Sequence, residues 1–102
     1  MTKKEADYYL HRCYKFLADP ETVLRHRKFK GNLHGIAFAA IQSMTVDFRK
    51  DALSTIIHEC LHCMYPNFSE KKTLEIEAGI VNHMSQLQFQ NLCYRIGCMG
   101  AR

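Results

Sequence analysis

Six apolar side chains, Leu53, Ile56, Ile57, Cys60, Leu61 and Met64, recur at three- and four-residue intervals through the middle of the chain. That spacing is the period of one helix face, so residues 52–64 are committed to a helix with one buried side. His58 and His62 stand beside Thr55, off the centre of the stripe. Residues four apart on a helix are neighbours, so both imidazoles can meet one metal ion while the stripe is buried. Glu59 follows the first histidine, where a carboxylate can polarise a metal-bound water. Asp51 occupies the position of an N-cap, and Pro66 marks the stop.

The remaining bulk properties narrow the setting. A chain of 102 residues suits one domain spanning 1–102. At this length only about two-thirds of the unfolded surface is buried, so a bound metal would reinforce a modest core. Apolar content of 47 % and charged content of 24 % are those of a globular protein rather than a disordered one. No apolar run approaches the ~20 residues of a membrane span. Met1-Thr2-Lys3-Lys4-Glu5 leads into an amphipathic stretch with no signal-peptide core. A soluble, cytoplasmic protein without a membrane partner is the expectation.

The net charge is +4, with positives grouped at His26-Arg27-Lys28-Phe29-Lys30, Arg49-Lys50 and Lys71-Lys72. At this modest excess, solvated faces account for the groups better than a nucleic-acid partner does. The five cysteines are an odd count for a disulfide framework. Cys60-x-x-Cys63 with Cys93 and Cys98 has the outline of a four-cysteine zinc site. Cys60 belongs to the apolar stripe, however, and free cysteine behaves as a small buried hydrophobe.

Along the chain, residues 4–18 read as a helix with an apolar stripe of Ala6, Tyr9, Leu10, Cys13, Phe16 and Leu17, ended by Asp19-Pro20. Residues 22–48 read as extended. The first strand is weak, because Val23, Arg25 and Arg27 alternate with Leu24, His26 and Lys28 without a clean pattern. Lys30-Gly31-Asn32 is a turn. Leu33 to Ala39 forms a second strand. Ser43 to Phe48 forms a third, with Met44, Val46 and Phe48 on one face. The connections are too short for crossover helices, which predicts an antiparallel or mixed three-stranded sheet. After the 52–64 helix, Ser69 caps a helix from Glu70 to about Leu87, and a further helical stretch reaches Tyr94. The fold class is α+β: an N-terminal helix, a small sheet, a helix carrying the histidine pair, and a long C-terminal helix.

Catalytic zinc takes three protein ligands, and two histidines supply only two. Glu70, Glu75, Glu77 and His83 lie downstream. On a wheel of about 100° per residue, Leu74, Ile80, Val81 and Met84 fall within about 60° of Glu77. A carboxylate at the centre of that inner stripe is costly unless paired or metal-bound. Glu75 falls about 160° away and His83 about 120° away. Glu70 faces inward, in a first turn where capping explains it equally well. Glu77 is therefore the expected third ligand, with Glu70 next, then His83, then Glu75. The other role open to Glu77 is to pair with an arginine or to orient the histidines.

His58-Glu59-x-x-His62, a short loop with Pro66, and a following helix bearing Glu77 resemble the gluzincins. In that clan two histidines of one helix and a glutamate of the next bind catalytic zinc. Size and element order are similar to the minigluzincins, single-domain soluble relatives of membrane metallopeptidase catalytic domains. The resemblance implies hydrolysis of peptide or protein substrates, with Zn2+ on His58, His62 and Glu77 and with Glu59 as general base. It also implies that residues 95–102 could hold the site latent, with Cys98 as a thiolate reaching the metal. His34, His83 and Tyr65 are the side chains available to stabilise an oxyanion. Two other classes stay open: a zinc-binding adaptor domain without turnover, and a basic nucleic-acid-binding module with structural histidines.

Overall fold

The computed structural model describes residues 1–99. In chain order the elements are α1 (Lys3–Ala18), β1 (Val23–His26), β2 (Gly35–Phe38), a 3-10 turn (Ala39–Ile41), β3 (Ser43–Val46), α2 (Ala52–Met64), α3 (Glu70–His83) and α4 (Gln86–Met99). This is the α+β fold expected, with one small mixed sheet.

The sheet order is β1-β3-β2. β3 pairs antiparallel with β2, placing Gly35 opposite Val46 and Phe38 opposite Ser43. β1 pairs with β3 in parallel, Val23 beside Ser43 and His26 beside Val46. A wholly antiparallel sheet is thus ruled out. No crossover helix is needed, because β2 itself carries the chain back. The strands are also shorter than their extended sequence suggested. Met44 and Val46 are fully buried, but Phe48 is exposed because the chain turns at Asp47.

The stripe of α2 is buried as its period requires, with Ile56, Ile57, Cys60 and Leu61 all at or below 2 % exposure. It packs on the inner face of β2 and β3, and α1 and α3 close the other side. Leu10, Cys13 and Leu17 of α1, Met44 of β3, and Ile76 and Ile80 of α3 complete one continuous core. α1 begins with a capping box: Thr2 accepts from the Glu5 amide, and the Glu5 carboxylate accepts from the Thr2 amide. Asp51 does precede α2, but in the left-handed region (φ 42°) and without a side-chain cap bond. Thr55 instead donates back to the Lys50 carbonyl at 3.2 Å.

The predicted long helix from Glu70 is two helices. α3 ends at His83, and α4 starts after Ser85. Ser85 Oγ accepts from the Gln88 amide at 3.2 Å, and Gln88 Oε1 accepts from the Ser85 amide at 2.9 Å. That reciprocal pair is a capping box, and it starts a second helix. α4 is held by Leu92, its one fully buried residue, and by Tyr14, whose hydroxyl donates to the Gln88 carbonyl at 2.9 Å. No helix among the described residues is long and apolar enough to cross a membrane.

Candidate metal centre

α2 and α3 are joined by residues 65–69 and pack together as neighbours. The joining turn is braced by ring contacts: Tyr65 stacks on Phe68 with ring centroids 4.6 Å apart, and the Lys72 ammonium sits 4.1 Å from the centre of the Phe68 ring. Ser69 then caps α3 by accepting from the Lys72 amide at 3.1 Å. Glu70, the first residue of α3, is thereby delivered to the histidine face of α2.

There the Nε2 atoms of His58 and His62 lie 2.9 Å apart. One oxygen of Glu70 is 2.9 Å from Nε2 of His58, and the other is 2.9 Å from Nε2 of His62. Ligand atoms held at 2.0–2.1 Å from zinc would stand about 3.3 Å apart on a tetrahedron. Two imidazole nitrogens and a carboxylate at this spacing are a borderline-soft donor set that suits zinc and needs little movement to accept it. The three groups stand 2.9 Å from one another, within hydrogen-bonding distance.

Glu77 occupies a different place from the one expected. Its Oε1 is 2.8 Å from Nδ1 of His58, and its Oε2 accepts from the Ser54 hydroxyl at 3.0 Å. With a carboxylate on Nδ1, that nitrogen carries the proton and Nε2 keeps its lone pair for a metal. Glu77 thus faces Nδ1 of His58 rather than the paired Nε2 atoms. It points inward as the wheel required, but α3 runs antiparallel to α2. Seven residues, about 10 Å of helix, carry it past Nε2 to the level of Ser54. The inner face is also rotated from the expected one. Thr73, Ile76 and Ile80 are buried, whereas Leu74 and Val81 are exposed. Glu75 is exposed, and His83 lies away from the site with Nε2 3.0 Å from the Met1 carbonyl oxygen.

Glu59 is 6 % exposed, although its helix position faces away from the core stripe. Its cover is β2. A Cβ built on Gly35 would meet Thr55 Cγ2 at 3.0 Å, Glu59 Cγ at 3.1 Å and the Thr45 carbonyl oxygen at 3.2 Å. Glycine is the residue that lets the strand lie this close. Burial pushes the Glu59 carboxyl up to about 7, against the pull of His58 and with added repulsion from Glu70 and Glu77. Ligand atoms of His58, Glu59 and His62 lie within 4.8 Å of one another. Two adjoining clefts, about 450 and 490 Å³, share Gly35, His58, Glu59 and Glu70 in their walls.

Of the oxyanion candidates, His34 lines the first cleft. Tyr65 is taken up by Phe68 and by Tyr9, whose ring it meets edge-on at 5.8 Å. Cys98 borders Leu17, Ala18 and Tyr94 at the far end of α1 rather than either cleft, and residues 100–102 of the proposed latency segment lie outside the described residues. Cys60 is buried and Cys63 half-buried, while Cys93 and Cys98 are exposed on α4, so the four do not assemble a zinc site. Two features of the site escaped the sequence reading. The Ser54–Glu77 bond needed the antiparallel offset of α3, and the cover over Glu59 needed the approach of Gly35. A signal for the second was available, since an isolated glycine in a strand marks a close approach.

No family model matches the chain, and no curated protein or solved structure matches it.

Proposed function

We propose that this chain is a zinc-dependent peptidase in which His58, His62 and Glu70 hold the metal, Glu59 is the general base, and Glu77 positions His58. The observation that carries the reading is the Glu70 carboxylate facing both Nε2 atoms, with the buried Glu59 carboxyl beside them. Zinc bound there would supply Lewis-acid polarisation of a scissile carbonyl and of a water. Glu59, a buried carboxyl beside the histidine pair, can take a proton and return it to a leaving amine. Glu77 and Ser54 fix the tautomer and ring plane of His58. β2 is the outer strand of the sheet and borders the site, so an extended peptide can pair with its free edge. That favours a peptide over other hydrolysable substrates. The five cysteines are free thiols, which agrees with a reducing, cytoplasmic setting.

The test is zinc titration with a competing chelator, followed by cleavage of a mixed peptide library. One zinc per chain is expected. Glu70→Ala should lose it, Glu77→Gln should weaken it about 10–100-fold, and Glu59→Gln should keep it while losing hydrolysis. Zinc retained by Glu70→Ala and lost by Glu77→Gln would reverse the two roles. Tight zinc with no cleavage at all would leave a metal-binding adaptor domain.

A further inference from the structure

Between Glu21 and Asp51 the chain carries six lysines and arginines but one acid, Asp47. The fold buries that acid completely and surrounds it with donors. Its Oδ2 accepts from the Phe29 amide at 2.9 Å and from Arg49 at 2.7 Å, and its Oδ1 accepts from the Arg49 amide and side chain at 3.1 and 2.9 Å. Lys50 adds three bonds to the carbonyls of Phe29, Gly31 and Leu33, at 2.8, 2.8 and 3.1 Å. The Phe48 amide donates to Nδ1 of His26 at 3.1 Å, and the two rings lie 4.8 Å apart. The segments following β1 and β3 are thus tied into one platform, with the carboxylate spent inside it.

What the platform shows to solvent is cationic and aromatic. Arg27, Lys28 and Lys30 are exposed and enter no ion pair with a carboxylate among the described residues. The Arg27 guanidinium lies 5.5 Å from the centre of the Phe29 ring. Phe48 is 45 % exposed beside them, backed by the His26 ring. Three free cations next to a backed, half-open aromatic ring match a ligand that alternates anionic groups with flat rings. Phosphates need point charges, and unpaired bases need a stacking surface. A base pair hides the flat faces that Phe48 would contact.

We propose that the 26–30 and 47–50 platform binds single-stranded nucleic acid, with Arg27, Lys28 and Lys30 on phosphates and a base stacked on Phe48. The three cations are already close in the sequence and look like a solvated face there, but the fold adds Phe48 to them and buries Asp47. This surface is separate from the histidine site and does not depend on the zinc reading.

The experiment is fluorescence anisotropy of a labelled 20-residue oligothymidine with the full chain, at several salt concentrations. Three phosphate contacts predict a log–log salt slope of about −2, or roughly a twentyfold loss of affinity from 50 to 200 mM salt. Arg27→Gln with Lys28→Gln and Lys30→Gln should weaken binding more than tenfold and flatten the slope. Phe48→Ala should weaken it about tenfold and leave the slope unchanged, as stacking does. Circular dichroism of each variant checks that the fold is kept. Equal affinity for the wild type and the triple variant would overturn the proposal. So would equal affinity for a duplex of the same length, or capture by phosphatidylserine vesicles with no binding of the oligothymidine.

Discussion

Glu59→Gln in the metal-free protein tests the electrostatics of the site apart from any turnover. The folded chain holds this carboxyl at about 7 rather than at 4.5, chiefly because β2 shields it from water. The unfolded chain gives up the proton first. The stability that goes with the neutral form is therefore complete below about pH 4.5 and is lost as pH rises through 7. At about 1.36 kcal/mol per pK unit, ionised Glu59 costs the fold up to about 3 kcal/mol above pH 7. Glutamine has nearly the same shape and does not ionise. Urea unfolding in the presence of a chelator should give similar stability for the two proteins near pH 4. At pH 8 the variant should be the more stable, by up to about 3 kcal/mol. Curves that run parallel from pH 4 to 8 would show that Glu59 is solvated, and the general-base assignment would lose its physical basis.

Three further outcomes follow from the same contacts. Gly35→Ala should destabilise by about 1–3 kcal/mol, and the added methyl pushes on Thr55 and Glu59, so any hydrolysis should fall further than stability does. Leu92→Ala should cost about 2–5 kcal/mol, because Leu92 is the buried anchor of α4, while zinc affinity measured below the unfolding transition stays unchanged. Asp47 is held well below the usual carboxylate range by Arg49 and by the Phe29 and Arg49 amides, against its burial. Its stabilising share is complete above about pH 4 and disappears as pH falls further, so Asp47→Asn should lower the urea midpoint at pH 7 and flatten its acid limb.

How much of this was legible in the sequence depends on the range of the interaction. The period of residues 53–64 fixed α2 and its buried face, because every contact on that stripe repeats locally. Ser69 was readable as a cap for the same reason. The split at His83 was missed although Ser85 and Gln88 spell a capping box, since apolar residues at Val81, Met84 and Leu87 kept the helical period running through it. The parallel pairing of β1 could not be read, because Val23, Leu24, Arg25 and His26 do not alternate and bury no face. Among the acids, a helical wheel gives direction but not height. Glu77 was rightly turned inward, and only the antiparallel offset of α3 decides that Glu70 meets Nε2 and Glu77 meets Nδ1.

Glu70 is the first residue of its helix, and its side chain is 61 % exposed, whereas His58 sits mid-helix and His62, in the last turn of α2, is only 27 % exposed. Helix ends open and close far more often than their middles. On the proposed ligand set, the two imidazoles act as the seat and Glu70 as a latch. An incoming ion would dock on the histidine pair first and be clasped afterwards, and a departing one would leave when the latch lifts. Metal exchange would then keep time with the fraying of one helical turn, and tightening the Ser69 cap would slow release without touching a ligand.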